Sequence, residues 1–153
     1  MSSEEVKRNS ISSFLLRTAE KWPDKPAVTF LGVTRTWLET KERCHAAATL
    51  FRRLGVKQGD RIAYLGLNSN VCFETYYSPA LIGAIFVPIN HRLSIGEMKE
   101  CLDDCAPKLL IVDENFGQHA KQLVKSCESL HETIYSGDML RSGKGVSYED
   151  SLK

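Results

Sequence analysis

The amino-acid sequence predicts an α/β protein in which a helix and a β-hairpin precede β–α repeats that build a mostly parallel sheet with helices on both faces. Three observations carry this. Short, continuously apolar runs such as Ile85-Phe86-Val87-Pro88-Ile89 and Leu109-Leu110-Ile111-Val112 read as strands buried on both faces. Helix-length segments alternate with those runs from residue 60 onward. Capping or breaking residues such as Ser69, Ser94 and Pro107 stand at the junctions.

The elements follow in order. Ile11, Phe14, Leu15, Ala19 and Trp22 recur at helical spacing, with Ser10 placed to cap the start and Trp22-Pro23 to end the helix. Residues 27–30 and 34–37 flank Leu31-Gly32-Val33 and predict a hairpin with a glycine-containing turn. A helix over 38–54 carries Cys44, Ala47, Ala48 and Phe51 on one stripe, and Gly55 is positioned as its C-terminal cap. Gly59-Asp60 leads into a strand over 61–65. Asn68 and Ser69 open a helix to about residue 83, which Pro79 should bend or break near Tyr76. After the strand at 85–89, Ser94 caps a helix over Ile95, Met98, Leu102 and Cys105 that Pro107 ends. The strand at 109–112 is followed by a helix over 116–130 and a strand over 132–136; 137–147 reads as a loop, and 147–152 begins a further segment.

Charge suggests a division. Residues 1–67 hold twelve basic and seven acidic side chains, whereas 68–153 hold eight and twelve. The expected organisation is therefore 1–58 as part of one subdomain, 59–136 as the β/α repeat unit, and 137–153 as a loop with the start of an unfinished segment.

Composition limits the function classes. Twenty basic against nineteen acidic side chains lack the footprint of a nucleic-acid binder, and 42% hydrophobic residues place the chain far from disorder. The polar start with Glu4 and Glu5 is unlike a secretory leader, and the apolar stretch over 76–89 is shorter than the ~20 residues a bilayer crossing needs. The C-terminal Ser-Leu-Lys is not a Ser-Lys-Leu address. These features predict a cytoplasmic protein without a transmembrane segment. Five scattered cysteines, without a C-x-x-C pair, read as reduced thiols; Cys101 and Cys105 share a helix face but lack further ligands at zinc spacing. The basic trio Arg52, Arg53 and Lys57 reads as a solvated helix end. Asp103-Asp104, at the end of a helix where the dipole disfavours anions, calls for pairing with Lys99 or Lys108.

Catalytic signatures are absent from these residues. There is no G-x-x-x-x-G-K-[ST], G-x-G-x-x-G, G-x-S-x-G or H-E-x-x-H, and Gly59-Asp60 precedes a strand, so it cannot aim amides at phosphate.

The ordered segments, however, carry a resemblance. Leu54-Gly55-Val56-Lys57-Gln58-Gly59-Asp60-Arg61-Ile62-Ala63 is similar to the L-G-V-x-x-G-D-R-V-A stretch of AMP-forming acyl-CoA synthetases. The likeness extends upstream to Pro23-Asp24-Lys25-Pro26-Ala27-Val28. It continues through Asn68-Ser69, Ala80-Leu81-Ile82-Gly83-Ala84, Val87-Pro88-Ile89-Asn90, His91-Arg92-Leu93-Ser94 to Glu97, and the strand from Lys108 to Asp113. It covers roughly residues 11–135.

The resemblance implies the fold of an incomplete N-terminal domain of an adenylate-forming enzyme. It implies a two-step reaction in which ATP and a carboxylate, such as a fatty acid, give an acyl-adenylate and pyrophosphate, and coenzyme A then displaces AMP. ATP, Mg2+ and CoA are the cofactors implied for a full-length member, and the acyl substrate belongs to the complete enzyme. Asn90-His91-Arg92-Leu93 resembles fatty-acyl members. The family's Ser/Thr/Gly-rich loop ending in Pro-Lys-Gly, its Tyr-Gly-x-Thr-Glu segment, its ribose-binding aspartate and its C-terminal lysine have no counterpart here. The expectation is therefore that no catalytic, cofactor-binding or metal residue lies in this chain and that the chain alone is inactive. Three readings stand: an N-terminal piece of such a ligase (truncation, short isoform or partial gene product), a non-catalytic binding or regulatory module pairing with a full-length relative, and an autonomous nucleotide-binding α/β domain. A full-length form would be peroxisomal or membrane-peripheral as alternatives to cytoplasmic.

Overall fold

The computed structural model describes residues 10–137 and 145–153. It is an α/β protein: helix α1 (Ile11–Lys21), a hairpin of β1 (Pro26–Phe30) and β2 (Val33–Thr36), and helix α2 (Trp37–Arg53) precede the repeats. The repeats are β3 (Arg61–Leu65), α3 (Asn70–Tyr77), β4 (Ile85–Ile89), α4 (Ile95–Cys105), β5 (Leu109–Asp113), α5 (Gly117–Ser126) and β6 (Glu132–Ser136), closed by β7 (Val146–Ser147) and α6 (Tyr148–Ser151).

Local chemistry explains the boundaries. The Ser10 hydroxyl accepts from the Ser13 N–H and starts α1. Reciprocal capping boxes start α2 and α4: the Thr36 N–H donates to the Glu39 carboxylate at 2.7 Å, and the Ser94 N–H to the Glu97 carboxylate at 2.8 Å. Trp37, expected in the second hairpin strand, is instead the first residue of α2, because the Thr36 cap fixes the start of the helix just before it. The hairpin turn is the two-residue Leu31-Gly32, both at positive φ, so Val33 pairs with Phe30.

Pro79 ends the third helix as anticipated: α3 stops at Tyr77, Ser78 caps it, and a single 3-10 turn over Ala80–Ile82 leads to Gly83 at positive φ. The helix expected over 116–130 is a 3-10 turn (Glu114–Phe116) and the shorter α5, which ends at Ser126. The loop expected over 137–147 contains β7, which adds a fifth parallel strand; residues 138–144 lie outside the described residues. The remaining strands start at the expected residues, set by the caps and turns that flank them. However, β4 is not the strand buried on both faces that its apolar run predicts: it is an edge strand paired only with β3, with Ile85 51% exposed and Pro88 exposed.

The sheet is parallel throughout, in the order β4-β3-β5-β6-β7. Alternation divides its side chains between two cores. Ile62 and Tyr64 of β3, Leu109 and Ile111 of β5 and Ile134 of β6 pack with Ala47 and Phe51 of α2, Val71 of α3 and Tyr148 of α6. Ala63, Leu65, Leu110, Val112 and Tyr135 pack with Met98 and Leu102 of α4 and Ala120 and Leu123 of α5. Helix α2, from the first third of the chain, thus shares a core with the sheet. No helix among the described residues is long and apolar enough to cross a membrane.

Candidate functional site

The strand order decides where a ligand crevice can form. From β3 the chain leaves through α3 on one face and returns as β4; from β5 it leaves through α5 on the other face and returns as β6. The loops at the carboxyl ends of the neighbouring strands β3 and β5 therefore diverge, which is the point where open α/β sheets hold ligands. A cleft of about 470 Å³ opens there, lined by the β3–α3 loop (Leu67, Asn68, Ser69), by Asp113, Glu114 and Ser136 at the strand ends, by Glu149, and by hairpin residues that include Arg35.

The ends of β3 and β5 approach each other closely here. A Cβ at Gly66 would lie 2.5 Å from Cβ of Asp113, so only glycine fits. The Tyr64 hydroxyl donates to the Leu67 carbonyl at 2.8 Å and stands 3.2 Å from the Ser69 hydroxyl, which in turn accepts from the Cys72 N–H. Burial pushes the Tyr64 phenol up from its ordinary value, so it stays a donor. The Asp113 carboxylate accepts from the Asn115 N–H and side-chain amide at 2.8 and 2.6 Å. These polar groups hold their own loops.

The charged lining of the cleft is, among the described residues, Asp113, Glu114, Glu149 and Arg35, and Glu149 is paired with Arg43 behind it. Among the described residues no group of three or more His, Cys, Asp or Glu side chains is placed to hold a metal ion.

One wall of the cleft belongs to a polar network that links three helices. Glu74 of α3, with 0% exposure, accepts from Arg43 Nε at 2.6 Å and Nη2 at 3.1 Å, from the Tyr148 hydroxyl at 2.9 Å and from the Asn70 amide at 3.4 Å. Arg43 of α2 also donates to both oxygens of Glu149, at 3.0 and 2.8 Å. Burial opposes the Arg43 cation, but the two carboxylates outweigh it and hold it above its ordinary value. Burial, and then the Glu74 carboxylate, push the Tyr148 phenol far up. Pattern reading missed this network because Arg43, Glu74 and Glu149 each sit in ordinary helical context; a charged residue on the buried side of α3 is the one signal that pointed to it.

The residues singled out from sequence are scattered. Lys99 takes Asp103 as its partner, while Lys108 lies 3.6 Å from Asp60 and donates to the Gly55 carbonyl. Arg61 Nε and Nη2 donate to the Cys105 and Ala106 carbonyls at the end of α4, supplying the cation that helix end wants beside Asp103-Asp104. Arg52 and Arg53 are exposed in the last turn of α2. Cys44 and Cys127 are buried, Cys101 is exposed, and all five thiols are free.

Comparison with known proteins agrees with this geometry. A family model described as "AMP-binding enzyme" matches residues 15–151. A feruloyl-CoA synthase from Amycolatopsis is 35% identical over 106 residues, covering 69% of this chain and 22% of that protein. A probable acyl-activating enzyme 22 from Arabidopsis thaliana is 29% identical over 143 residues, covering 90% and 26%. A putative long-chain-fatty-acid CoA ligase from Rhodopseudomonas palustris superposes with a TM-score of 0.86 at 29% identity, covering 93% of this chain and 36% of that structure. The chain spans about a fifth to a third of the length of these proteins. With the family model matching nearly its whole length and the fold agreeing, the chain belongs to the AMP-binding, adenylate-forming ligase family.

Proposed function

We propose that these residues supply one α/β layer of an AMP-forming acid–thiol ligase, which converts a carboxylate, ATP and CoA to acyl-CoA, AMP and pyrophosphate. The adenylation chemistry then rests on polypeptide other than these 153 residues. The observation that carries this reading is the family match over residues 15–151 in a sequence without the Pro-Lys-Gly loop that the reaction needs. Loss of the carboxylate's oxygen is difficult until adenylation makes it a leaving group, so the layer's contribution is to build and hold the scaffold around that step.

Two assays test the proposal. The purified chain should show no carboxylate-dependent exchange of pyrophosphate into ATP. A hybrid in which this chain replaces the corresponding portion of the Amycolatopsis feruloyl-CoA synthase should show exchange with that enzyme's own carboxylate. Exchange by the chain alone would overturn the claim that the chemistry lies elsewhere, and a folded hybrid without exchange would overturn the ligase role.

A further inference from the structure

Two thiols that the ligase reading leaves unused stand one turn apart on α4. Cys101 and Cys105 are four positions apart in a continuous helix, so they share one face, with Cβ atoms about 5–6 Å apart. Cys101 is exposed, Cys105 is half-buried at the last residue of the helix, and both are free. Cys44 and Cys72 belong to α2 and α3 on the opposite layer, and Cys127 is buried just past the end of α5. The Arg61 guanidinium reaches the same end of α4, where Nε and Nη2 donate to the Cys105 and Ala106 carbonyls. Burial holds the Cys105 thiol above its ordinary value; Asp104 and the neighbouring Cys101 add to this, and Arg61 opposes them.

The spacing sorts the chemistry open to this pair. A disulfide requires Cβ atoms about 3.5–4.5 Å apart, closer than one helical turn allows, so an intrahelical bond would have to unwind the end of α4. A structural zinc ion takes four ligands, and among the described residues no group of three or more His, Cys, Asp or Glu side chains is placed to supply them. A soft monovalent cation asks for less. Cu(I) prefers thiolate sulfur and is satisfied by two thiolates in a near-linear arrangement, whose sulfurs stand further apart than those of a disulfide. We propose that Cys101 and Cys105 form a two-coordinate site for Cu(I). Binding releases the proton of each thiol and gives a singly negative bis-thiolate complex, with no change in the oxidation state of copper or sulfur. Arg61, fixed by its two carbonyl partners, places a cation beside that charge, and Asp103 in the same turn is already paired with Lys99. The inference goes beyond the ligase reading and does not depend on it, because α4 and Arg61 alone carry it.

The test is an anaerobic titration of the reduced 153-residue chain against Cu(I) held by bicinchoninate, whose Cu(I) complex is coloured. The chain should withdraw one Cu(I) per molecule. Cys101→Ser and Cys105→Ser should each weaken that binding about 100-fold or more, since a single thiol loses the advantage of a second, tethered ligand. Cys72→Ser, on the opposite layer, should leave it unchanged. Cys101 is exposed, so its replacement should keep the copper-free thermal midpoint within about 2 °C and the loss is read on a folded chain. An excess of Zn2+ should not displace the copper. Full affinity in either Cys101→Ser or Cys105→Ser would overturn the site, and so would an equal loss in Cys72→Ser. Displacement by Zn2+ would reveal more ligands than two thiols and overturn two-coordination. One copper per two chains, with dimers in sedimentation, would mean that Cys101 bridges molecules, which overturns the pair within one helix.

Discussion

Arg43 of α2 stands between two carboxylates that lie 31 and 106 residues further along the chain: its Nε donates to Glu74 at 2.6 Å and its Nη2 to Glu149 at 2.8 Å. Glu74 is fully buried and Glu149 is 44% exposed, so the two pairs differ in consequence. Arg43→Met leaves the Glu74 charge buried without its counterion and should cost about 3–5 kcal/mol in urea unfolding. Glu149→Gln removes a half-exposed partner and should cost less than about 1 kcal/mol. Pairing Arg43→Met with Glu74→Leu should recover much of the loss, since no buried ion then remains. Equal costs for the two single changes would refute this ranking.

The same carboxylate anchors the C-terminal turn through Tyr148, whose hydroxyl donates to Glu74 at 2.9 Å. Tyr148→Phe keeps the ring in its fully buried site and removes one hydrogen bond to a charged group, a loss of about 1.5–3 kcal/mol. Tyr148→Ala empties that site as well and should cost more, about 3–5 kcal/mol by analogy with other large aromatic truncations. Denaturation midpoints for the pair separate the bond from the packing.

The hairpin turn offers a gain. Leu31 adopts φ +48°, a conformation that glycine and asparagine take at lower cost, and its side chain is almost wholly exposed. Leu31→Asn is expected to raise stability by about 0.5 kcal/mol or more. Gly32→Ala should lower it by about 1–2 kcal/mol from backbone strain alone, because no atom lies within 4 Å of the added Cβ. A neutral Gly32→Ala would show that the turn relaxes.

Acid should weaken the fold through three depressed carboxyls. Hydrogen bonds from the Thr36 backbone and hydroxyl hold Glu39 below its ordinary value, bonds from Ser94 do so for Glu97, and the Lys57 N–H does so for Asp60, with Lys108 adding to it. A carboxyl lowered in the folded state contributes stability that is complete above the unfolded value, about 4. That contribution disappears as pH falls through the lower folded value. Thermal midpoints measured from pH 6 to pH 2.5 should therefore drop, and Glu39→Gln with Glu97→Gln should flatten the drop. An unchanged acid slope in that double variant would remove the capping boxes as its source.

Pro88 guards the outer edge of β4 by withholding a donor. Pro88→Val restores an outward N–H and is expected to raise light scattering on heating while the unfolding midpoint moves little. Unchanged scattering would mean that the edge is protected by something other than the proline.

Much of the fold was legible because its signals are local. The strands at 61–65, 85–89 and 132–136 are flanked by caps and turns that fix their register, and the Ser94 cap of α4 is read directly from the sequence, whereas the Thr36…Glu39 box lies in a stretch that reads as strand. The errors fall where competing local signals meet tertiary demands. Apolar letters at Leu130 suggested a longer α5, but the chain must leave that helix at Ser126 to bring Glu132 beside Leu109. Val146-Ser147 carries too short a pattern to announce a strand, and pairing with Ile134 and Tyr135 makes it one.

The sequence by itself determined the α/β class, the starts of β3 to β6, the Ser10, Ser69 and Ser94 caps and, through ordered segments, the ligase family. Only the tertiary structure decided that residues 31, 74 and 106 positions apart would meet as Arg43–Glu74, Glu74–Tyr148 and Arg43–Glu149. It also gathered Ile11, Phe14 and Tyr76 into one apolar groove. The reason is physical: caps and alternation act within a few residues, whereas the partner of a helix's outward side chain is set by how several helices settle on a twisted sheet, and no local period records it.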